Sequence, residues 1–396
     1  MKKTPDFSLP GYARDALRTL RENGYEAYLV GGCVRDLFLG RRPFDYDIAT
    51  SARPEETMKL FPSAHPTGIR HGTVTVVIDG HPMEITTFRS DGAYSDGRRP
   101  DSVSFSADIA EDLRRRDFTV NAMAWSDKGG LLDPFGGRRD LDAKIIRCVG
   151  DPFERFYEDP LRILRAWRFS GELGFEIERD TAAAARKLKG RLELISAERI
   201  HAELLRILLS KRADALVGLI NAGFLGRFGV ACAPDALLRL SQTDADLRLR
   251  AVTLAVFLER AGCLKSADGF LFSLRFDKST VALSKTVRKM DLSFETELEI
   301  KKAVADYGPE AVLCCASVFF LVTGENAPEL VGKIRESGEC LTLSELRLGG
   351  DDLKRIGITD GKEIGRILKE VLVHVLSHPE DNKPEKLTIL AKSLIL

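Results

Sequence analysis

Apolar positions in the first third of the chain change period several times. Tyr12, Ala13, Ala16, Leu17 and Leu20 recur at helical spacing, which predicts an amphipathic helix stopped by Gly24. Tyr28-Leu29-Val30 is then a short apolar run ending in Gly31-Gly32, and a helical pattern resumes at once. Phe44 to Thr50 reads as a strand, so Asp45 and Asp47, two apart, would project from one face. Thr73 to Ile78 and Met83 to Phe88 read as the strands of a hairpin turned at Asp79-Gly80. After Asp151 the strand signals nearly vanish, and long helical periods broken near Gly190, Gly223, Gly262, Gly308 and Pro328 dominate. The pattern predicts an α+β chain: a mixed head of strands and helices, then an extended helical region without internal repeats.

Composition narrows the class. At 396 residues the chain can hold about two to four domains with a sizeable core. Its 44% hydrophobic and 30% charged content argues against disorder. Basic and acidic residues number 59 each, so binding of a polyanion would depend on a local basic surface. Met1-Lys-Lys-Thr-Pro-Asp6 lacks the apolar core of a secretory signal, and the longest apolar run, Ala311 to Val322, is too short to cross a bilayer. Seven cysteines include no Cys-x-x-Cys pair, and Cys314 and Cys315 are adjacent. Neither a zinc site nor a disulfide framework is suggested, and the expected compartment is the reducing cytoplasm.

The chemistry concentrates in a few segments. Glycines after a strand let the backbone approach a phosphate, and the helix N-terminus behind them favours negative charge. Two carboxylates on one sheet face suit a hard divalent cation such as Mg²⁺, which also takes oxygens from a substrate phosphate. Glu84, on the second hairpin strand, could reach that face and complete a two-metal site. Phosphate loop plus metal carboxylates, one helix apart, reads as nucleotidyl transfer. Arg115 to Ala122 joins a basic pair to a buried-looking element, in which packing would account for Asp117 and Asn121. Glu158 to Phe169 reads as a helix with Pro160 in its first turn, bearing Asp159, Arg162, Arg165 and Arg168 at spacing three. Alone, that spacing is what a salt-bridged surface helix shows. Ser196 to Leu208 reads as a structural helix capped by Ser196, with His201 on its surface. Leu348-Gly-Gly-Asp-Asp-Leu353 leads into Gly357, Gly361 and Gly365, a glycine-punctuated helical hairpin.

Leu29-Val-Gly-Gly-x-Val-Arg-Asp36, Asp45-x-Asp47, Glu84-Ile-Thr-Thr-Phe-Arg89, Arg115-Arg-Asp-Phe118 and Glu158-Asp-x-x-Arg162 occur in this order over about the first half of the chain. Together they closely resemble the motif set of the bacterial class II CCA-adding enzymes, or tRNA nucleotidyltransferases, whose head is shared with bacterial poly(A) polymerases. The resemblance implies a polymerase β-like nucleotidyltransferase head over residues 1–140. It further implies a helical neck for base recognition over 141–210, a body over 211–270 and a tRNA-binding tail over 271–396. It implies Mg²⁺-dependent addition of C, C and A to the tRNA 3′ end from CTP and ATP, without a template. Asp45 and Asp47 would be the metal carboxylates and catalytic, with Glu84 as the third. Gly32 and Arg35 would hold the triphosphate; Arg116, Arg165 and Arg168 would line the nucleotide pocket; Asp159 and Arg162 would read the base. Gly92 to Pro100 resembles the loop that family members need for A addition. No His-Asp dipeptide occurs, so the phosphohydrolase domain of some relatives is expected to be absent.

An Asp/Arg pair accounts for a menu of two bases. Cytosine and adenine each offer an amino donor beside a ring-nitrogen acceptor, whereas uracil and guanine would leave buried polar groups unpaired at about 1–3 kcal/mol each. Two alternatives stand at this level: a pure adenylyl enzyme (A-adding or poly(A) polymerase) and a non-catalytic RNA-binding protein. Monomer and homodimer are both open.

Overall fold

Local sequence signals account for most of the head. In the computed structural model, which describes residues 7–92, 102–210, 212–244 and 246–395, α1 (Gly11–Glu22) buries Ala13, Ala16, Leu17 and Leu20. Gly24 follows its C-cap with a φ of 87°. β1 (Ala27–Val30) runs into α2 (Gly32–Phe38), and β2 (Asp47–Thr50) precedes α3 (Pro54–Leu60) and β3 (Ala64–Gly68). β4 (Thr73–Ile78) and β5 (His81–Thr87) form the expected hairpin. Asp79 and Gly80 both take positive φ, 51° and 77°, the conformation that matches a two-residue turn to strand twist. β6 (Arg89–Asp91) pairs with β7 (Val103–Phe105) apart from the main sheet, and α4 (Ile109–Arg114) starts at Asp108, whose side chain accepts from the Ala110 N–H at 2.8 Å. β8 (Ala124–Ser126) and β9 (Gly130–Leu132) complete the sheet, in the order β3-β4-β5-β2-β1-β8-β9. The loop at Gly92 to Pro100 lies, from residue 93 on, outside the described residues, as does Met1 to Asp6.

The sheet is antiparallel except between β2 and β5, and that exception matters for the site. Asp47 lies opposite Val30, the last residue before the glycine turn. Ile48 pairs in parallel with Ile85, which sets Asp47 beside Glu84 in register. Val30, Ala49, Phe88, Ala122 and Ala124 pack with Ile109, Leu113 and Val149 on one face, while Leu29, Ile48 and Ile85 are buried as well. One expectation needs correction: the strand begins at Asp47, and Asp45 lies two residues before it. Its β1 partner ends at Val30, where the chain turns away at Gly31, so Asp45 has lost its neighbour on that side, although β5 continues to His81 on the other.

Behind the sheet come α5 (Gly137–Asp142), β10 (Ile145–Ile146), α6 (Pro152–Glu158), α7 (Leu161–Leu173), β11 (Glu176–Ile177), α8 (Arg179–Lys187) and α9 (Ala197–Leu208). The helix expected across Glu158 to Phe169 is two helices. Asp159 is extended, with φ −137° and ψ 99°, because a residue before proline is pushed out of the helical region. Asp159 therefore closes α6, and Pro160 caps α7.

Contacts divide the chain into two units, Met1–Glu203 and Leu204–Leu396. The second is helical throughout its described residues: α10 (Ala213–Asn221), α11 (Leu247–Arg260), α12 (Ala267–Ser273), α13 (Lys278–Lys289), α14 (Glu297–Tyr307), α15 (Pro309–Thr323), α16 (Ala327–Glu336), α17 (Gly350–Arg355), α18 (Gly361–Ser377) and α19 (Pro384–Ser393), joined in part by 3-10 turns. α15, which carries the long apolar run, buries every residue from Ala311 to Val318 and packs on α11 and α16. No helix among the described residues is long and apolar enough to cross a membrane. Cysteine spacing did not suggest a disulfide, yet Cys232 and Cys263 are bonded. The Ala231 N–H donating to the Cys263 carbonyl at 2.9 Å brings together segments 31 residues apart in sequence.

Candidate active site

The turn between β1 and α2 demands a glycine at Gly31 rather than at Gly32. Gly31 has φ 77° and ψ −135°, open to glycine alone, and a Cβ there would lie 2.8 Å from Nη1 of Arg116. A Cβ at Gly32 would meet only Arg35 Nη2, at an ordinary 3.6 Å. Arg116 thus lies against the bare backbone of the turn. Its Nη2 donates to Asp112 at 3.2 Å, and Asp112 also accepts from Arg115 at 2.7 and 3.0 Å.

Asp47 is half-buried at the start of β2, whereas Asp45 and Glu84 are exposed. Burial pushes the Asp47 carboxyl up to about 6; the negative charges of Asp45 and Glu84 add to this, and Arg116 offsets part of it. Asp47 is therefore repelled by both neighbours, a cost that a bound divalent cation would remove. Among the described residues no three potential ligands stand close enough to form a complete metal site by themselves. That donor set fits a cation completed by substrate phosphate oxygens and water, as Mg²⁺ commonly is.

Arg35, on α2, is 9% exposed, and its partners show how the turn is tied to α7. Its Nη1 donates to Asn121 Oδ1 at 2.8 Å, and Asn121 Nδ2 donates to Asp117 Oδ1 at 3.2 Å. Asp117 Oδ2 accepts from Arg165 Nε and Nη2 at 2.8 and 2.5 Å. Burial alone would raise the Asp117 pKa, but the charge and hydrogen bonds of Arg165, with Arg162 and Asn121, hold it at about 2. Phe169 gathers three guanidinium groups around one ring: Arg168 at 4.2 Å, Arg35 at 5.3 Å and Arg165 at 5.4 Å from its centroid. Each of the three already has a carboxylate, Asp36 for Arg35, Asp117 for Arg165 and Glu203 for Arg168, so the ring orients paired guanidinium groups at one place.

Asp159 and Arg162 do not bond to each other through their side chains. Asp159 accepts from Arg199 Nη2 at 3.0 and 3.2 Å and from the Leu161 N–H at 3.1 Å. Arg162, 9% exposed, donates to Glu158 at 2.6 Å and to the carbonyls of Arg115 and Arg155 at 3.0 and 3.2 Å. Arg168 is ion-paired with Glu203 at 2.8 Å. The sequence alone suggests packing roles for Asp117 and Asn121, which here connect the arginines, and it does not single out Phe169 or the partners Arg199 and Glu203. A signal existed for the last two: four apart on α9, they carry charges opposite to Asp159 and Arg168.

Residues 27–147 match the poly A polymerase head domain, and residues 174–227 match the probable RNA and SrmB-binding site of polymerase A. Fold and site together define a nucleotidyltransferase of the polymerase β-like class. The chain is 36% identical over 395 residues to the CCA-adding enzyme of Leuconostoc citreum, covering 97% of this chain and 96% of that one. Over 195 residues, 49% of this chain and 48% of the relative, identity to the CCA-adding enzyme of Ligilactobacillus salivarius reaches 51%. The crystal structure of the Bacillus stearothermophilus CCA-adding enzyme in complex with CTP superposes with a TM-score of 0.75 at 33% identity, covering 96% of both chains. The chain belongs to the CCA-adding enzyme family.

Proposed function

We infer that this protein adds C, C and A to the 3′ end of tRNA from CTP and ATP in the cytoplasm, releasing pyrophosphate. The observation that carries the reading is the juxtaposition of the Asp47–Glu84 register with the Gly31 turn, in a chain 36% identical to a CCA-adding enzyme over nearly its whole length. In this reading Asp45 and Asp47 hold Mg²⁺, with Glu84 beside them; the ion supplies charge neutralisation at the reacting phosphate and a more acidic attacking hydroxyl. Gly32 and Arg35 hold the triphosphate, and Arg116, Arg165 and Arg168 line its pocket. Asp159 accepts from the amino group of cytosine or adenine while Arg162 donates to the ring nitrogen. We assign the head to residues 1–140, the base-reading neck to 141–210, the body to 211–270 and the tRNA-binding tail to 271–396.

The 3′-hydroxyl oxygen of the tRNA attacks the α-phosphorus in line. The bond from that phosphorus to the β-phosphate oxygen breaks, and the hydroxyl proton passes to solvent. Arginines that hold the triphosphate before reaction also neutralise the charge that develops on pyrophosphate. Positioning and electrostatics supply most of the acceleration, so no dedicated general base is assigned.

The decisive assay gives purified protein CTP and ATP with tRNA lacking one, two or three terminal nucleotides. Each substrate should be completed to CCA and then left; continued growth with ATP alone would make it a poly(A) polymerase instead. Asp47→Ala should abolish addition while tRNA binding measured by filter retention persists. Near-normal addition by that variant would remove Asp47 from the chemistry.

A further inference from the structure

The helix read from sequence as merely structural, α9, meets two members of the proposed nucleotide pocket with charges of the opposite sign. Arg199, in its first turn, spans both oxygens of Asp159, and Glu203, one turn later, pairs with Arg168. A spacing of four sets both on one helix face. These side chains are largely dry, 21% exposed for Arg199 against 16% for Asp159, and 10% for Glu203 against 3% for Arg168. Pairs this dry lose in desolvation much of what they gain in attraction, so stability alone is a weak reason for two of them side by side. Orientation is a better one.

Asp159 sits in an extended break between α6 and α7, where no helix restrains its side chain. A carboxylate has about four acceptor positions on its two oxygens. The Leu161 N–H and Arg199 occupy Oδ1, and Arg199 also takes one position on Oδ2. One position on Oδ2 is left, in a fixed direction. A carboxylate fixed this way accepts an amino hydrogen but repels a carbonyl oxygen; one free to swing can turn away from uracil and tolerate it.

We propose that Arg199 is a positioning residue for base selection, holding the Asp159 carboxylate in the orientation that rejects UTP. The proposal rests on the reading of Asp159 as a base-contacting residue, and the experiment separates the two. Incorporation of all four nucleotides onto tRNA lacking its CCA end is measured for wild type, Arg199→Ala, Arg199→Lys and Asp159→Ala. Arg199→Ala should raise the UTP-to-CTP ratio of kcat/KM about tenfold, the worth of one misplaced hydrogen bond, with the KM for tRNA unchanged. One nitrogen, Nη2, makes both Arg199 contacts, so a lysine ammonium that reaches Asp159 should restore selectivity along with rate in Arg199→Lys; this variant also serves if the alanine variant does not fold. Equal loss for all four nucleotides in the Arg199 variants, with the ratio shifted only in Asp159→Ala, would overturn the proposal and leave the base reading standing. An unchanged ratio in Asp159→Ala as well would overturn both.

Discussion

The two units solve the problem of a buried interior in opposite ways. In the second, α15 and α11 are buried around most of their circumference, from Ala311 to Val318 and from Arg250 to Leu258, and apolar residues dominate. Among the described residues its buried Arg250 makes no salt bridge; it donates to the carbonyls of Leu208, Ser241, Thr243 and Asp244, tying irregular backbone together. In the first unit the charges converge. Arg35, Asp112, Asp117, Arg162, Arg168 and Glu203 are all buried, two of them over one phenylalanine ring. Buried ion pairs contribute little net stability compared with well-packed apolar side chains. Their concentration in the first unit lies along the elements that frame the candidate site, and their scarcity among the described residues of the second marks a region built by packing.

The largest test of that contrast breaks the first unit's network at its centre. Asp117→Ala leaves the half-buried Arg165 without its carboxylate and removes the acceptor of Asn121 and of the Phe118 N–H, which should cost about 3 kcal/mol of stability, together with a loss of nucleotide addition, because Arg35 and Arg165 are tied through Asn121 and Asp117. Urea melts paired with addition assays on the same preparation would read both. A stable variant of normal activity would mean that the network is decorative.

The matching change in the second unit is Leu321→Ala on α15, where the side chain is fully buried. It should cost about 2–5 kcal/mol through transfer and cavity terms, yet leave the preference for CTP and ATP over UTP and GTP as it was. Altered nucleotide preference in this variant would contradict the division of labour.

The smallest effect sharpens the contrast within the first unit, where two aspartates shift in opposite directions. Asp47, held at about 6 when folded, binds its proton more tightly folded than unfolded. Its contribution to stability is therefore present below about pH 4 and lost as pH rises to about 6, by at most ~3 kcal/mol. Asp117, held at about 2, behaves in reverse: its contribution is present above about pH 4 and lost as pH falls towards 2. In metal-free protein, Asp47→Asn should raise Tm at pH 7.5 and leave it nearly unchanged at pH 4, and added Mg²⁺ should stabilise wild type more than the variant. A Tm difference independent of pH would show that Asp47 carries no such strain.

How much of this was legible in the sequence depends on the range of the interaction. Helix and hairpin signals are local. The α1 stripe, the turn at Asp79-Gly80 and the helical character after Asp151 follow from neighbours within a few residues, and so does the family motif set with its order and spacing. The places where a local reading erred are places where a distant partner decides. Asp45 falls outside the strand because β1 ends where Gly31 turns, and the Cys232–Cys263 bond needs a backbone contact between segments far apart in sequence. Proline at 160 did signal its own break, since it lacks an N–H and forces Asp159 into extended backbone.

Sequence by itself determined the residue types at the site, their order and the elements that carry them, because backbone preference and hydrophobic period act over one or two turns. Only the tertiary structure decided which charge answers which. A guanidinium pairs with whichever carboxylate packing brings within hydrogen-bond reach, and that choice matched Asp159 to Arg199, 40 residues along the chain, rather than to Arg162 three residues away.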